Sequence, residues 1–175
     1  AVNPAHRKVL GRKSHASLAA IGKPVDLAVI VSPPQLLRGT LEDAAQARVP
    51  AAIVLADPRA VDPAAQRRWT RDMAQLAAKH GIRFVGPGAF GIVRTDIGLN
   101  ASITDVPVSR GRLALVAQSG AVCTAMLDFA APMGIGFSTV ISLGAGVDIN
   151  FGEMLDYLLL DPATDGILLY VESVR

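Results

Sequence analysis

The sequence predicts an α/β protein made of two successive domains, each with a doubly wound parallel sheet. Short uninterrupted apolar runs, such as residues 26–32, are typical of parallel strands covered on both faces. Helix caps and apolar residues at helical spacing follow these runs, so strands and helices alternate. Composition agrees, because 51% of the 175 residues are apolar but only 5% are aromatic. The aliphatic excess suits layered packing and disfavours single-stranded nucleic acid as a ligand.

The first half contains two repeated strand–helix units. Apolar residues at helical spacing place Leu37, Leu41 and Ala44 on the inner face of the first long helix, and Gly81 ends the second. The predicted elements are, in chain order, a strand end at 1–3, a short helix at 14–21 capped by Ser14, strands at 26–32, 51–56 and 82–85, and helices capped by Ser32 and Asp62.

A second series of strands and helices follows. Residues 86–110 contain glycines and prolines without a sustained period, so we expect the domain junction there, with domains at 1–105 and 106–175. The predicted elements are strands at 113–117, 137–143 and 166–171, and helices starting at Ala121 and at Asn150, where Glu153 completes a capping box. The first of these helices is expected to bury Val122, Met126, Phe129 and Met133.

Charge and cysteine content narrow the class of protein. The net charge is only +2, and apart from a basic stretch at residues 6–13 it is spread along the chain, so general polyanion binding is not expected. Cys123 is the single cysteine, which excludes an internal disulfide and suits the cytoplasm. The apolar runs are strand-sized, so no membrane span is expected. Both ends resemble interrupted strands, and we expect the sequence to be part of a longer chain.

The strongest functional pattern lies at residues 111–126. A buried strand leads through Gln118 and Ser119 into a helix that starts near Gly120. The first backbone N–H groups of such a helix lack partners, and the helix dipole adds positive charge there, so the corner favours an anion. Because this corner is common to α/β proteins, it indicates a phosphate site only together with other evidence.

Three other motifs are set aside. Residues 86–91 match G-x-G-x-x-G after a strand, but no helical pattern follows, so a dinucleotide site is rejected. Ser119 lies in a turn of small residues like a nucleophile elbow, yet every histidine precedes it and a hydrolase triad cannot be completed in that order. Cys123 lies inside a helix, where burial is expected rather than reactivity. We expect no metal site.

Side chains after strand ends are candidates for ligand contact. His6 and Arg7 follow a strand end, in the zone where open α/β sheets bind ligands, or they belong to a solvated basic loop. Glu172 follows the last strand, where its carboxylate can orient an imidazole or accept a proton, or is an exposed strand-end acid. Asp148 has the same two interpretations.

Seven stretches in order resemble one family, the ADP-forming acyl-CoA synthetases, whose arrangement is shared with the succinyl-CoA ligase α subunit. They lie at residues 2–11, 25–34, 84–93, 98–102, 111–122, 142–150 and 168–173. The resemblance implies a Rossmann-like CoA-binding domain without its first strand, followed by the first part of a flavodoxin-like ligase domain.

The resemblance also implies roles for particular residues. Ser119 and Gly120 would receive the phosphate of a phosphohistidine, and Glu172 would hold that histidine. CoA contacts are implied at Pro4, His6, Arg7, Ser32, Pro33 and Pro34. In the family reaction, phosphate passes from a nucleotide through histidine to a carboxylic acid, and the CoA thiol captures the acyl phosphate. Two departures weaken the likeness, because Gly88 stands where the family has asparagine and Asn150 where an acidic residue is common.

The resemblance places some components outside this sequence. The phosphohistidine would follow residue 175, and ATP or ADP with Mg²⁺ would be held by a nucleotide-grasp domain or subunit, so the chain alone is not expected to turn over. Expected partners are CoA, a small carboxylic acid and other subunits of an oligomer. One alternative is a non-catalytic acyl-CoA-sensing region of a GNAT-type protein lysine acetyltransferase, which residues 98–102 also resemble. A domain kept only for subunit assembly is the other.

Overall fold

The structure is a computed structural model that describes residues 1–57 and 63–173, and for residues 63–66 the backbone alone. The predicted cap Asp62 lies outside the described residues. The strands are β1 (Lys8–Val9), β2 (Arg12–Lys13), β3 (Leu27–Ile30), β4 (Ala51–Val54), β5 (Arg83–Val85), β6 (Gly91–Arg94), β7 (Leu99–Ser102), β8 (Arg110–Ala117), β9 (Phe137–Ser142) and β10 (Gly166–Tyr170). The α-helices are α1 (Leu37–Gln46), α2 (Pro63–His80), α3 (Gly120–Ala130) and α4 (Phe151–Leu159).

The first sheet is parallel, as the sequence predicts, and its strand order is β3-β4-β5. Strand residues that alternate along each strand divide between its two faces. Ile30, Val54 and Phe84 pack with α1 and α2 on one face. On the opposite face, Ile53 and Val85 share a core with β8, β9 and α4. The two halves of the chain are therefore joined by a common apolar core.

The second sheet has the order β10-β8-β9-β6-β7. Its first three strands are parallel, whereas β6 is antiparallel to β9 and forms a hairpin with β7. Residues 91–102, which lie in the predicted junction, thus extend this sheet. Both hairpin strands mix apolar with polar residues, so neither contains the uninterrupted apolar run by which the parallel strands were predicted. The domain boundary at 105/106 stays a prediction.

Helix α3 turns a different face to the sheet than the apolar spacing predicts. Its buried residues are Cys123, Leu127 and Ala130. Phe129 and Met133 are 59% and 60% exposed, so the predicted stripe is wrong for them. Two apolar stripes were available on this helix, and the smaller residues Cys123 and Ala130 let it pack close to the sheet.

The predicted helix at residues 14–21 is also wrong, since only a 3₁₀ turn at Ala19–Ile21 is present. The backbone there is used in pairing instead. His15 donates its N–H to the Ala1 carbonyl at 3.0 Å and accepts the Asn3 N–H at 2.8 Å. No helix in the described part of the chain is both long and apolar enough to cross a bilayer.

Candidate functional site

Three parallel strands of the second sheet end at one edge. Ala117 of β8 is in register with Ser142 of β9 and with Tyr170 of β10. The chain leaves β8 through Gln118 and Ser119 and enters α3 directly. The carboxyl edge of such a sheet is where α/β proteins bind ligands. We call residues 118–120 together with 172–173 the α3 corner.

Ser119 starts helix α3 as its N-cap. Its backbone is extended, with φ −85° and ψ 124°, and its Oγ accepts the Val122 N–H at 3.4 Å. The side chain satisfies one donor of the first turn, and the other early N–H groups have no acceptor within the helix. The first turn carries no acidic residue, so no side-chain charge of the helix offsets its positive end. The helix start thus has the uncompensated positive end on which the predicted anion site depends, and that site stays a prediction.

Gly120 lies against the Cβ and backbone of the buried residue Phe90. A Cβ on Gly120 would lie 3.1 Å from the Cβ of Phe90, which is fully buried. That contact is tight, so a larger residue would push the helix start away from the turn that contains Phe90. A small residue at this position therefore lets the helix start lie close to the first half of the chain.

Glu172 is tied to the helix start by Gln118. The Oε1 atom of Gln118 accepts the N–H groups of Glu172 at 2.6 Å and Ser173 at 2.8 Å. Its Nε2 atom donates to the Ser173 carbonyl at 3.1 Å. The structure thus brings Glu172 to the same corner as Ser119, and the Glu172 side chain is exposed there. The sequence placed Gln118 in a predicted phosphate-binding corner at residues 118–121 but gave its side chain no partner; a long amide in a turn of small residues was the available signal.

The implied CoA contacts divide between a groove and an exposed loop. Pro4 and Ser32 line a groove of about 530 Å³ beside β3, which we call the β3 groove. His6 and Arg7 are exposed on the loop that leaves it. Pro33 lies between the groove and the 3₁₀ turn Pro34–Leu36. The structure therefore brings Pro4 and Ser32 together, while His6, Arg7, Pro33 and Pro34 do not line the groove.

Asn3 shapes the loop at Pro4. Its Oδ1 atom accepts the N–H groups of Ala5 at 2.9 Å and His6 at 3.2 Å. An asparagine that bonds to the backbone two and three residues later forms a local turn. The sequence analysis missed this role, although asparagine before proline is a known turn signal.

Ser32 does not cap a helix as predicted. The 3₁₀ turn at Pro34–Leu36 has Pro33 at its N-cap position. The Ser32 hydroxyl lies 3.0 Å from Oγ1 of Thr40, which donates its own proton to the Leu36 carbonyl at 3.0 Å. Ser32 is therefore the donor in this pair, and its oxygen keeps acceptor capacity toward the groove.

The basic stretch forms a hairpin with like charges across it. Lys8 faces Lys13 in the β1–β2 register, and Val9 faces Arg12. Like charges directly opposite each other destabilise a strand pair. A bound anion would relieve that repulsion, which supports the interpretation of this loop as a phosphate contact.

Asp148 is a structural residue, so its interpretation as a ligand-facing acid is wrong. Its Oδ2 atom accepts the Phe84 N–H at 2.7 Å and the Arg83 Nε–H at 3.0 Å. Arg83 also reaches Glu153 at 2.6 Å, and these hydrogen bonds raise the pKa of Arg83. The predicted capping box of Asn150 and Glu153 is confirmed. Asp148 thus fastens the loop after β9 to the first sheet.

The segment at residues 86–91 leads into a strand. Gly91 starts strand β6, so the motif is followed by a strand and not by the helix that a dinucleotide site needs, as predicted. Gly88 has φ +69°, a left-handed conformation that glycine and asparagine adopt most readily. Glycine in place of the family's asparagine therefore keeps the turn.

Cys123 is a buried thiol, and the described acidic side chains form no metal-binding group. Burial raises the pKa of Cys123 to about 12, so its thiol is neutral and unreactive near pH 7. Among the residues that the structure describes, no group of three His, Cys, Asp or Glu side chains is arranged to hold a metal ion.

Comparison with known families assigns the two halves. Residues 1–95 match the model of a CoA binding domain, and residues 110–175 match that of a succinyl-CoA ligase like flavodoxin domain. The chain is similar to acetate–CoA ligase [ADP-forming] I of Archaeoglobus fulgidus, with 35% identity over 100% of this chain and 26% of that protein. It is also similar to the α subunit of acetate–CoA ligase [ADP-forming] II of Pyrococcus furiosus, with 30% identity over 99% of this chain and 38% of that subunit.

A solved structure has the same arrangement of elements. It is the dinucleotide forming acetyl-coenzyme A synthetase 1 of Ca. Korarchaeum cryptofilum in complex with phosphate and ADP, with a TM-score of 0.91 and 28% identity. The match covers 99% of this chain and 37% of that one. The chain therefore spans well under half the length of these relatives, and its fold is the one they share.

Proposed function

This chain belongs to the ADP-forming acyl-CoA synthetase family, with a CoA-binding domain and a succinyl-CoA ligase-like flavodoxin domain in succession, and from that premise we propose that it binds CoA and takes part in phosphate transfer through histidine. The observation that carries the proposal is the α3 corner, where Glu172 is held beside the uncompensated start of a helix. A phosphoryl group on histidine needs both an anion site and a partner for the ring.

The α3 corner would supply both. The backbone N–H groups at Ser119 and Gly120 would bind the phosphoryl oxygens, since a helix start stabilises an anion without a charged side chain. Glu172 would accept a hydrogen bond from the other ring nitrogen and so hold one tautomer of the imidazole. These groups are in place before the phosphate arrives, so little reorganisation is needed.

The β3 groove and the basic hairpin fit CoA in the same proposal. CoA carries an extended pantetheine arm and several phosphates. Pro4 and Ser32 offer an apolar wall and a hydroxyl for the arm, while Arg7 on the exposed loop faces solvent where phosphates can approach. Pro33 and Pro34 would limit how far the arm extends, and His6 would contact a phosphate or the adjacent amide.

Other components of the reaction are proposed outside this chain. The Pyrococcus furiosus relative is named as a subunit α, and its name implies a further subunit. We place ATP or ADP with Mg²⁺ on such a nucleotide-grasp domain or subunit, in a cytoplasmic oligomer that acts on a small carboxylic acid. The acetyltransferase-regulator alternative finds no support in the relatives described above, which carry ligase names.

The test follows the phosphate. The full-length gene product is incubated with ATP labelled on its γ-phosphate, and protein phosphate that is acid-labile and alkali-stable is measured. We expect label on histidine as ADP leaves, and its release as inorganic phosphate when acetate and CoA are added together. The carboxylate takes the phosphoryl group, and the CoA sulfur then displaces phosphate from the acyl carbon.

Two variants make this test specific. Glu172→Gln should slow labelling at least about 100-fold, the lower end of the usual contribution of an acid–base group, with CoA affinity unchanged. Asp128→Asn, an exposed acid on α3, is the matched control and should label normally. Absence of label in a protein that still binds CoA would overturn the ligase proposal and favour a sensing role.

A further inference from the structure

The side chain of Gln118 has an unusual set of partners for a turn residue. It accepts two backbone N–H groups, from Glu172 and Ser173, and donates to the Ser173 carbonyl. All three partners belong to Glu172 and Ser173, the second and third residues after β10. The side chain therefore replaces the hydrogen bonds that a neighbouring strand would give to this segment.

The backbone of Gln118 also joins the three strand ends. Its N–H donates to the Tyr170 carbonyl at 3.1 Å, and its carbonyl accepts the Ser142 hydroxyl at 3.0 Å. Ser142 is fully buried, so this contact is shielded from water. The backbone of Gln118 is thus fixed to β9 and β10, and its side chain extends from there to the segment that carries Glu172.

Without this side chain, little in the described structure would hold Glu172 in place. Val171, Glu172 and Ser173 are all exposed, so packing does not fix them. Hydrogen bonds of 2.6 and 2.8 Å to adjacent N–H groups define both the position and the direction of the backbone at Glu172. The direction of that backbone sets where the carboxylate can reach.

We propose that Gln118 is a positioning residue that holds the backbone of Glu172 against the start of α3, so that the carboxylate meets the imidazole of the phosphohistidine. This inference rests on the proposed function. Gln118 does not touch the phosphate in this assignment; it acts through Glu172. A displacement of a catalytic group by about 1 Å can cost about 100-fold in rate, so loss of the Gln118 hydrogen bonds should slow phosphoryl transfer strongly.

The first arm of the test does not depend on activity. Amide hydrogen exchange at Glu172 and Ser173 is measured by NMR in the protein and in its Gln118→Ala variant. We expect exchange of both amides to rise at least about tenfold in the variant, because a hydrogen bond must open before an amide exchanges. Gln46→Ala, an exposed glutamine at the end of α1, is the matched control and should leave both amides unchanged.

The second arm measures histidine labelling in the full-length gene product. Gln118→Ala should slow labelling about 10- to 100-fold without changing CoA affinity, the range expected for a misplaced group. In a Glu172→Gln background the same change should cost less than about twofold, because a residue that acts through Glu172 has nothing left to position. Gln118→Glu keeps both acceptor bonds, so it should leave the exchange of both amides near the wild-type value, and it serves as the second variant of the exchange arm if Gln118→Ala loses its fold. It is not used for labelling, because its carboxylate would repel the phosphate.

Each outcome decides the proposal. Unchanged amide exchange in a folded Gln118→Ala variant would show that Gln118 does not hold the backbone of Glu172, and it overturns the proposal. An equal slowing in the wild-type and Glu172→Gln backgrounds shows that Gln118 acts independently of Glu172 and overturns the positioning role. If the wild-type protein is never labelled, the proposed function fails together with the catalytic part of this inference, while the exchange arm still decides whether Gln118 holds Glu172.

Discussion

The α3 corner and the β3 groove present their polar groups in different ways. At the corner, Gln118 bonds to the segment that bears Glu172, and Gly120 lies against the Cβ and backbone of buried Phe90. At the groove, His6 and Arg7 stand on an exposed loop shaped mainly by Asn3. The first site is organised before a ligand arrives, and the second presents a surface that a long ligand would cover.

The difference matches what each proposed ligand demands. A transient phosphoryl group is small, and its stabilisation depends on donors that are already aimed at it. An extended ligand such as CoA gains affinity from many contacts, each of which can adjust as it binds. Substitutions in the loop after β9, in the turn at Pro33 and at the helix starts test this difference, in decreasing order of expected effect.

The largest effect is expected at Gly144, in the loop after β9. Its φ is +57°, and a Cβ there would overlap the Pro87 carbonyl oxygen. Gly144→Ala should lower the free energy of unfolding by about 3 kcal/mol, from left-handed strain plus overpacking. Urea unfolding measures this. Gly39→Ala, where a Cβ meets nothing within 4 Å, is the control and should be neutral or slightly stabilising. Equal free energies of unfolding for the two variants would contradict this, because they would show that the loop after β9 accommodates the added Cβ without cost.

A smaller effect, confined to CoA binding, is expected at Pro33, in the turn beside the groove. Pro33→Glu places a negative charge beside the proposed path of CoA and should weaken CoA binding about tenfold, or about 1.4 kcal/mol. Calorimetric titration with CoA measures the affinity, and thermal unfolding should be unchanged. Pro24→Glu, at an exposed proline outside the groove, is the matched control. Normal affinity in a folded Pro33→Glu protein would remove this turn from the site.

The smallest effects are expected at the two helix caps. Asn150 belongs to a full capping box, so Asn150→Ala should cost about 1 kcal/mol of stability. The Ser119 hydroxyl makes one long bond of 3.4 Å, so Ser119→Ala should cost only about 0.5 kcal/mol. Histidine labelling should respond in the opposite order, with Ser119→Ala slower. A greater loss of stability at Ser119 than at Asn150 would mark the α3 start as a structural cap.

Local patterns in the sequence were sufficient for the parallel strands, for helices α1 to α4 and for the start of α3, but not for the β6–β7 hairpin or for residues 14–21. Burial on both faces needs uninterrupted apolar runs, and a helix start needs a cap, so residues 113–121 and Asn150 could be interpreted without a partner element. The family could be inferred because its motifs keep their order along the chain. The carboxyl end of β10 also placed Glu172 correctly at a sheet edge.

Only the tertiary structure decided which partners these groups have. Asp148 and Glu172 looked alike in sequence, yet one is bound by Arg83 and the Phe84 N–H while the other is held through its backbone with its carboxylate exposed. The choice between the two stripes of α3 likewise depended on how closely the helix packs. Hydrogen bonds between residues more than fifty positions apart, such as those of Gln118, have no local signal, because they exist only after the strands have paired.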